Sequence, residues 1–448
     1  MTTAPPANAP WELGRKLPPL GLAYVAAALE KSSFKVEILD NYLLKKPIDE
    51  VKQKIKKLRP EIVGITCGSA TYQRCIETVH AVKEAEPSCK VVVGGWHASY
   101  MPETLLEHAE VDYVVMGEGE QAMTELATFI TKGGNAESAV TIPGVAYRHK
   151  NEIIKNSPKF ISDLDQVPFP ARHLLPMTLY GRKIEYLKVE PVDIMSVTRG
   201  CPYNCAWCDV EKLGGRKCRS FSPKRIFEEM EHLVNSYHSK GIYLISDVFT
   251  IRKKETLELC ELIKKEKLDV DWACDTRVDL LSRELLLKMR EAGCKTIWFS
   301  VESGSPRILE KIRRGVTIKQ ITDAFRLCRE TGIKIACSFM LGFPGETLRD
   351  MELSLKFAKQ LNPDWCGFNV YVAYPGSALY QEVLQEHLYD RVEDYVFYVK
   401  TQDFDFEKVS AIQQRFHRSF NRSPKRILRK IRREGALNVM KQALGKVS

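Results

Sequence analysis

The sequence predicts an α/β protein: a doubly wound N-terminal domain, a β/α barrel and a helical C-terminal tail. Three observations predict it. Short apolar runs alternate with helical stretches over residues 17–130. The alternation resumes at Asp193 and repeats through six strand-like runs. Between the two lies a stretch, residues 141–190, rich in proline and poor in periodic runs. Short strands alternating with helices imply βαβ units and a parallel sheet covered on both faces.

In the first unit, residues 1–140, the helices are expected at 20–31, 48–58, 72–86 and 120–130. Strands are expected at Phe34–Asp40, Ile62–Thr66, Lys90–Gly94 and Val111–Met116, which makes the unit Rossmann-like. Prolines 143, 158, 168, 170 and 176 mark a connector that packs between two domains. Residues 191–375 carry strands near 194–197, 241–246, 270–274, 296–301, 334–340 and 365–372. Six such units predict a partial or full TIM-like barrel, with reactive groups at the strand C-termini. Residues 376–448 form a C-terminal extension.

A hydrophobic content of 44% and a charged content of 28% describe an ordinary globular chain. No apolar run has membrane-spanning length, and the first ten residues lack signal-peptide character; the expected location is cytoplasmic. Thirteen cysteines, an odd number, argue against a disulfide framework. Cys260, Cys274, Cys294, Cys328 and Cys337 read as buried small hydrophobes.

The net charge of +10 is local. Residues 411–448 hold eleven Lys or Arg and one acid, Glu434, so the rest of the chain balances to zero. Ser423-Pro424 is a good helix start, and Ile427, Leu428 and Ile431 then share one face. Such a helix can pack on the barrel with its cations solvated. It can also make peripheral contact with an anionic membrane surface. Nucleic acid is disfavoured, because the basic stretch is short and no RNA-binding module accompanies it.

The segment from Thr198 to Asp209 follows the first barrel strand and has the spacing Cys201-x3-Cys205-x2-Cys208. Three thiolates on one loop can ligate three irons of a [4Fe-4S] cluster and leave the fourth open. An open metal position is a substrate site. A structural zinc ion with Cys218 as fourth ligand, or chance proximity of core cysteines, are the competing readings.

The segment resembles the defining motif of the radical S-adenosylmethionine (SAM) superfamily, Cys-x3-Cys-x-aromatic-Cys, with Trp207 at the aromatic position. The resemblance covers residues 191–375. It implies that SAM chelates the open iron and that its reductive cleavage yields a 5′-deoxyadenosyl radical. It also implies an external one-electron donor such as flavodoxin or ferredoxin. By the same resemblance Asp247 meets the SAM amino group, Arg277 its carboxylate, Glu302 its ribose, and Gly342 and Gly345 lie near its adenine. Each also has a plain structural role open to it: helix cap, ion pair or turn.

The first unit resembles the cobalamin-binding module that precedes this barrel in a large subgroup. The matching loops carry Thr66, Ser69, Gly94, Gly95, His97, Gly117, Glu118 and Gly119, all after parallel strands, where open α/β sheets bind ligands. Two departures stand out. No Asp-x-His-x-x-Gly occurs, so cobalt would be held without a lower histidine, and His97 is expected to be neutral, satisfied by a loop carbonyl or the nucleotide tail. The apolar strand that opens the module is missing before the Pro18-Pro19 loop.

The resemblance implies cobalamin-dependent methyl transfer to an unactivated carbon of an unknown small molecule; a lipid would suit the basic tail. A cobalamin-dependent cyclase, oxidoreductase or rearrangement enzyme is the alternative within the superfamily. A tRNA methylthiotransferase is disfavoured, since Cys67, Cys75 and Cys89 have the wrong spacing for a second cluster. A non-catalytic cobalamin or iron–sulfur sensor would not need the full set of SAM contacts.

Overall fold

The computed structural model describes residues 17–134, 140–150, 152–422 and 426. The expected helix beginning at Ser423-Pro424 lies almost wholly outside them.

Among the described residues the N-terminal sheet has five strands in sequential order, β1 Ile62–Thr66, β2 Lys90–Gly94, β3 Tyr113–Val115, β4 Val145–His149 and β5 Glu152–Lys155. The first three are parallel. Val91, Val92 and Val93 are all buried, as a strand covered on both faces requires. Helix Leu20–Lys31 follows two prolines and turns Ala23, Ala26 and Ala27 inward.

Two expectations are corrected here. Residues 34–39 do not form a strand. They do not pair with β1, the outer strand of the sheet among the described residues; Val36 and Ile38 pack on the Ala-rich face of the first helix instead. The boundary near 140 also falls inside the sheet, because β4 and β5 pair antiparallel onto β3. The start of the connector therefore belongs to the first domain.

The second domain is a partial barrel. Its strands are β6 Val192–Ser196, β7 Gly241–Ile245, β8 Asp271–Asp275, β9 Cys294–Glu302, β10 Lys334–Leu341 and β11 Trp365–Val370. All are parallel and pair in chain order, with β6 and β11 as edges that no other strand joins among the described residues. Ser222, Ser282, Thr317 and Thr347 cap helices packed around it. The extension adds an antiparallel sheet of Val372–Ala373, Tyr389–Glu393 and Val396–Val399. Helix Phe406–Asn421 then packs Phe416 and Phe420 against Phe368 of β11. No helix among the described residues is long and apolar enough to cross a membrane.

Candidate functional site

The cysteine loop is built by backbone packing. Thr198–Arg199 pairs antiparallel with Arg219–Ser220, and the Cys201 N–H donates to the Gly215 carbonyl. Gly200 has φ +82°, and a Cβ there would lie 2.5 Å from the carbonyl oxygens of Gly214 and Lys217. Only glycine fits. Gly200→Ala is expected to destabilise the chain by about 2 kcal/mol or more and to lower iron uptake on reconstitution; normal iron content would show that the loop tolerates a displaced backbone. The loop is tied to the barrel by the Ala206 N–H donating to Ile312 O and the Leu379 N–H donating to Ala206 O.

Each of the three thiols meets a donor suited to a thiolate. The Tyr203 backbone N–H bonds Cys201 and the Val210 N–H bonds Cys208. Arg314 Nη1 lies 3.8 Å from Cys205 Sγ. Burial pushes Cys201 up and Cys208 to about 12, so ligation must supply the charge that keeps them ionised. Among the described residues no three His, Cys, Asp or Glu side chains could hold a single metal ion. A cubane asks for something else, since its three thiolates sit on three different irons. The donor set fits the cluster.

The proposed SAM contacts line the barrel mouth around this loop. Asp247, beyond β7, is exposed, while its carboxyl is ringed by protein, raised by burial and bonded by the Gly200 N–H. Glu302 ends β9 at a register shift against β10, with φ +70°. It is 2% exposed, and its Oε2 has no hydrogen-bond partner among the described residues. Trp207 Nε1 is likewise buried and unpartnered. Two orphaned polar atoms beside the cysteine loop suit a ligand rich in hydroxyls and ring nitrogens. Gly342 and Gly345 lie in the loop after β10, closed by Glu346 Oε2 accepting from the N–H groups of Gly342 and Phe343 at 2.6 and 3.1 Å.

Burial raises Glu302 to about 7, against the lowering effect of Arg314, and Glu346 to about 8. A carboxyl raised by folding binds protons more tightly in the native state. Each therefore costs stability as pH rises from the ordinary glutamate range to its folded value. Glu302→Gln is expected to stabilise the ligand-free chain at pH 8 by up to about 3 kcal/mol while weakening SAM binding. Thermal unfolding at pH 5 and pH 8 checks this, and an unchanged pH 8 midpoint would contradict it.

Arg277 is placed differently from expectation. It is buried, with Nε and Nη2 on Asp279 at 2.9 and 3.0 Å and Nη1 on Arg314 O at 3.1 Å. Its guanidinium stacks 3.6 Å from the Tyr203 ring centroid. The carboxylate it meets is the protein's own, and it braces the cysteine loop. Arg314 was not singled out by sequence; two adjacent arginines before a glycine carry no distinctive spacing.

On the N-terminal side, Thr66 ends β1, Ser69 follows it, and Gly94 ends β2. Gly95, φ +100°, lets its backbone approach Thr66, since a Cβ would lie 2.7 Å from Thr66 Oγ1. His97 is fully buried and bonds Ser69 Oγ through Nδ1 at 3.0 Å and Thr104 Oγ1 through Nε2 at 2.9 Å. Burial lowers it to about 4. It is neutral, but its partners are two hydroxyls rather than a loop carbonyl or a nucleotide tail, and it acts as a strut.

Glu118, between Gly117 and Gly119, is also corrected. It is committed to the barrel: Oε2 accepts from Arg219 Nη1 at 2.9 Å and from the Ile161 N–H at 2.7 Å, and Oε1 lies 3.4 Å from Arg199. Arg199 bonds Glu120 at 2.6 Å. A buried clamp thus joins the loop after β3 to the hairpin beside Cys201.

The strand-end edge of the first sheet faces the cysteine loop. Tyr100, on the helix after Gly95, donates to the carbonyl of Asp209 at 2.8 Å. Trp96 on the same helix is 63% exposed, which leaves an apolar side chain uncovered on this edge. Exposed apolar surface at the strand ends of an open α/β sheet suits a large, flat ligand such as a corrin.

A cluster loop at the mouth of a partial barrel, faced by the ligand edge of a doubly wound domain, defines a radical enzyme with two cofactor sites. The chain matches the radical SAM superfamily over residues 195–358 and the B12 binding domain over residues 12–127. An uncharacterized methyltransferase of Pyrococcus horikoshii is 32% identical over 94% of this chain and 91% of the relative. The anaerobic magnesium-protoporphyrin IX monomethyl ester cyclase of Rubrivivax gelatinosus is 32% identical over 90% of this chain and 70% of that protein. In fold, the chain resembles the radical SAM methyltransferase TsrM of Kitasatospora setae, solved with cobalamin and a [4Fe-4S] cluster. That match has a TM-score of 0.70 at 20% identity, over 84% of this chain and 77% of that one. The chain belongs to the radical SAM superfamily, in the group that carries a B12-binding domain. Its cofactors are a [4Fe-4S] cluster, SAM and cobalamin.

Proposed function

We propose that the protein transfers a methyl group to an unactivated carbon of a small molecule. One observation carries this reading: the strand-end edge of the first domain faces the cysteine loop across the Tyr100–Asp209 contact. Methyl carrier and radical source must both reach one substrate carbon, so their sites must share a cleft. The near full-length likeness to a protein named a methyltransferase supports it.

When bound, the cluster with SAM supplies a carbon-centred radical, and cobalamin supplies the methyl group. The chain's residues hold and orient. Cys201, Cys205 and Cys208 ligate iron, and Arg314 offsets negative charge beside Cys205. Asp247 takes the SAM ammonium and the free Oε2 of Glu302 a ribose hydroxyl. The Gly342–Glu346 turn shapes the adenine wall. The electron comes from an external donor of the flavodoxin or ferredoxin class.

The likeness to a cyclase at the same identity favours one second reading, oxidative ring formation. Methyl-deuterated SAM, given to the reconstituted enzyme with an anaerobic metabolite extract, separates the two. Methyl transfer predicts label on a carbon of a product. Substrate-dependent 5′-deoxyadenosine with no label in any product would favour ring formation and contradict the proposal.

A further inference from the structure

The C-terminal hairpin Tyr389–Glu393 and Val396–Val399 has no part in the chemistry above, yet its turn crosses to the other domain. Asp394 and Tyr395 both have positive φ, +48° and +66°. Two-residue turns of this kind favour Asn-Gly, and a tyrosine at the second position is costly by local rules. Tertiary contacts offset that cost. The Tyr395 ring centroid lies 5.0 Å from Tyr72 and 5.1 Å from His97, and the ring packs against the core of the N-terminal domain. Val396 beside it is fully buried.

Asp394 completes a helix it does not belong to. Helix Tyr72–Ala85 begins in the loop after β1, and its own N-cap residue, Thr71, makes no cap bond. The Thr71 hydroxyl is turned back instead, accepting from the Gly68 N–H at 3.2 Å and donating to Gly68 O at 3.1 Å. The second N–H of the helix, on Gln73, would be left open. Asp394 Oδ2 accepts from it at 3.4 Å, from 321 residues away in sequence. A carboxylate there also complements the helix N-terminus.

We infer that this hairpin is a strap that orders the cobalamin side of the cleft, with Asp394 and Tyr395 as positioning residues. The elements beneath it are the ones that set the loops after β1 and β2. His97 joins Ser69 to Thr104, and Tyr72 packs on His97 at 4.9 Å. Tyr395 closes this stack, and Asp394 pins the helix that leads out of the Ser69 loop. A cofactor bound at the sheet edge then meets loops whose ordering has already been met by contacts from the other domain. This role rests on the assignment of cobalamin to that edge.

The test uses the full chain. Affinity for hydroxocobalamin is measured by absorbance titration for the wild type, Asp394→Ala, Asp394→Asn and Tyr395→Ala, with iron content after cluster reconstitution as a second readout. Asp394→Ala is expected to weaken hydroxocobalamin binding by about fivefold, the factor one helix cap supplies. Asp394→Asn, an equally good cap, should restore wild-type affinity; Tyr395→Ala should weaken binding, and iron content should be normal in all. Wild-type affinity in Asp394→Ala, or an Asn variant as weak as the Ala variant, would overturn the strap. A wild-type chain that takes up no hydroxocobalamin would overturn the cofactor assignment itself, and the strap with it.

Discussion

Replacing Cys205 with alanine is expected to abolish both the cluster and SAM cleavage. Cys205 is the most buried of the three motif thiols and the one that faces Arg314 at 3.8 Å. With it gone, two thiols are left for a cubane that needs three, while Arg314 keeps its bonds from Nε and Nη2 to the Ser300 carbonyl. Cys218 is half-buried near Cys201, but it lies beyond the loop and outside the motif. Iron after reconstitution should fall from about four to below about one per chain. 5′-Deoxyadenosine formation should fall at least about a thousandfold, because no other group in the site can deliver the electron. The fold should survive, since losing one small buried side chain costs on the order of 1 kcal/mol. A variant with normal iron and normal SAM cleavage would refute the cluster assignment.

The second large effect is expected at the interdomain clamp. Glu118 is 5% exposed at its side chain, and Arg219 and Arg199 are 8% and 15% exposed. Glu118→Ala leaves two buried guanidiniums short of a carboxylate and the Ile161 N–H without its acceptor. Breaking a buried pair in this way costs about 3 to 5 kcal/mol, here toward the lower end, because Arg199 retains Glu120. The urea midpoint should drop accordingly. The functional consequence follows from position. The clamp ties the loop after β3 to the hairpin beside Cys201, so its loss should uncouple methyl transfer from SAM cleavage. 5′-Deoxyadenosine per methylated product should rise by about tenfold or more, the scale set by small misplacements of reacting groups. An unchanged ratio in a destabilised variant would show that the clamp only holds the domains together.

Much of this arrangement was legible in the sequence. Helices 20–31 and 48–58 and strands 62–66 and 90–94 have the predicted bounds, because apolar period and proline or glycine punctuation agree there. All six barrel strands were found for the same reason, and the three cysteines were found by spacing. What failed was tertiary. Phe34–Asp40 has the composition of a strand, but the apolar side chains of Val36 and Ile38 are spent on the first helix rather than on a sheet face. The hairpin at 145–155 was hidden in a proline-rich stretch. Glu118 and His97 occupy ligand-like positions in sequence, yet their side chains are taken by Arg219 and by Ser69 and Thr104. Long-range pairings leave no local trace, and neither did Arg314 on Cys205 or Asp394 on Gln73, 109 and 321 residues apart.

The most direct test that the chain carries two cofactor sites is its metal content after anaerobic reconstitution with iron, sulfide and hydroxocobalamin. About four irons and about one cobalt per chain are expected. Retention of a single zinc ion with no iron would contradict the cluster, and four irons without cobalt would contradict the assignment of the N-terminal edge to cobalamin.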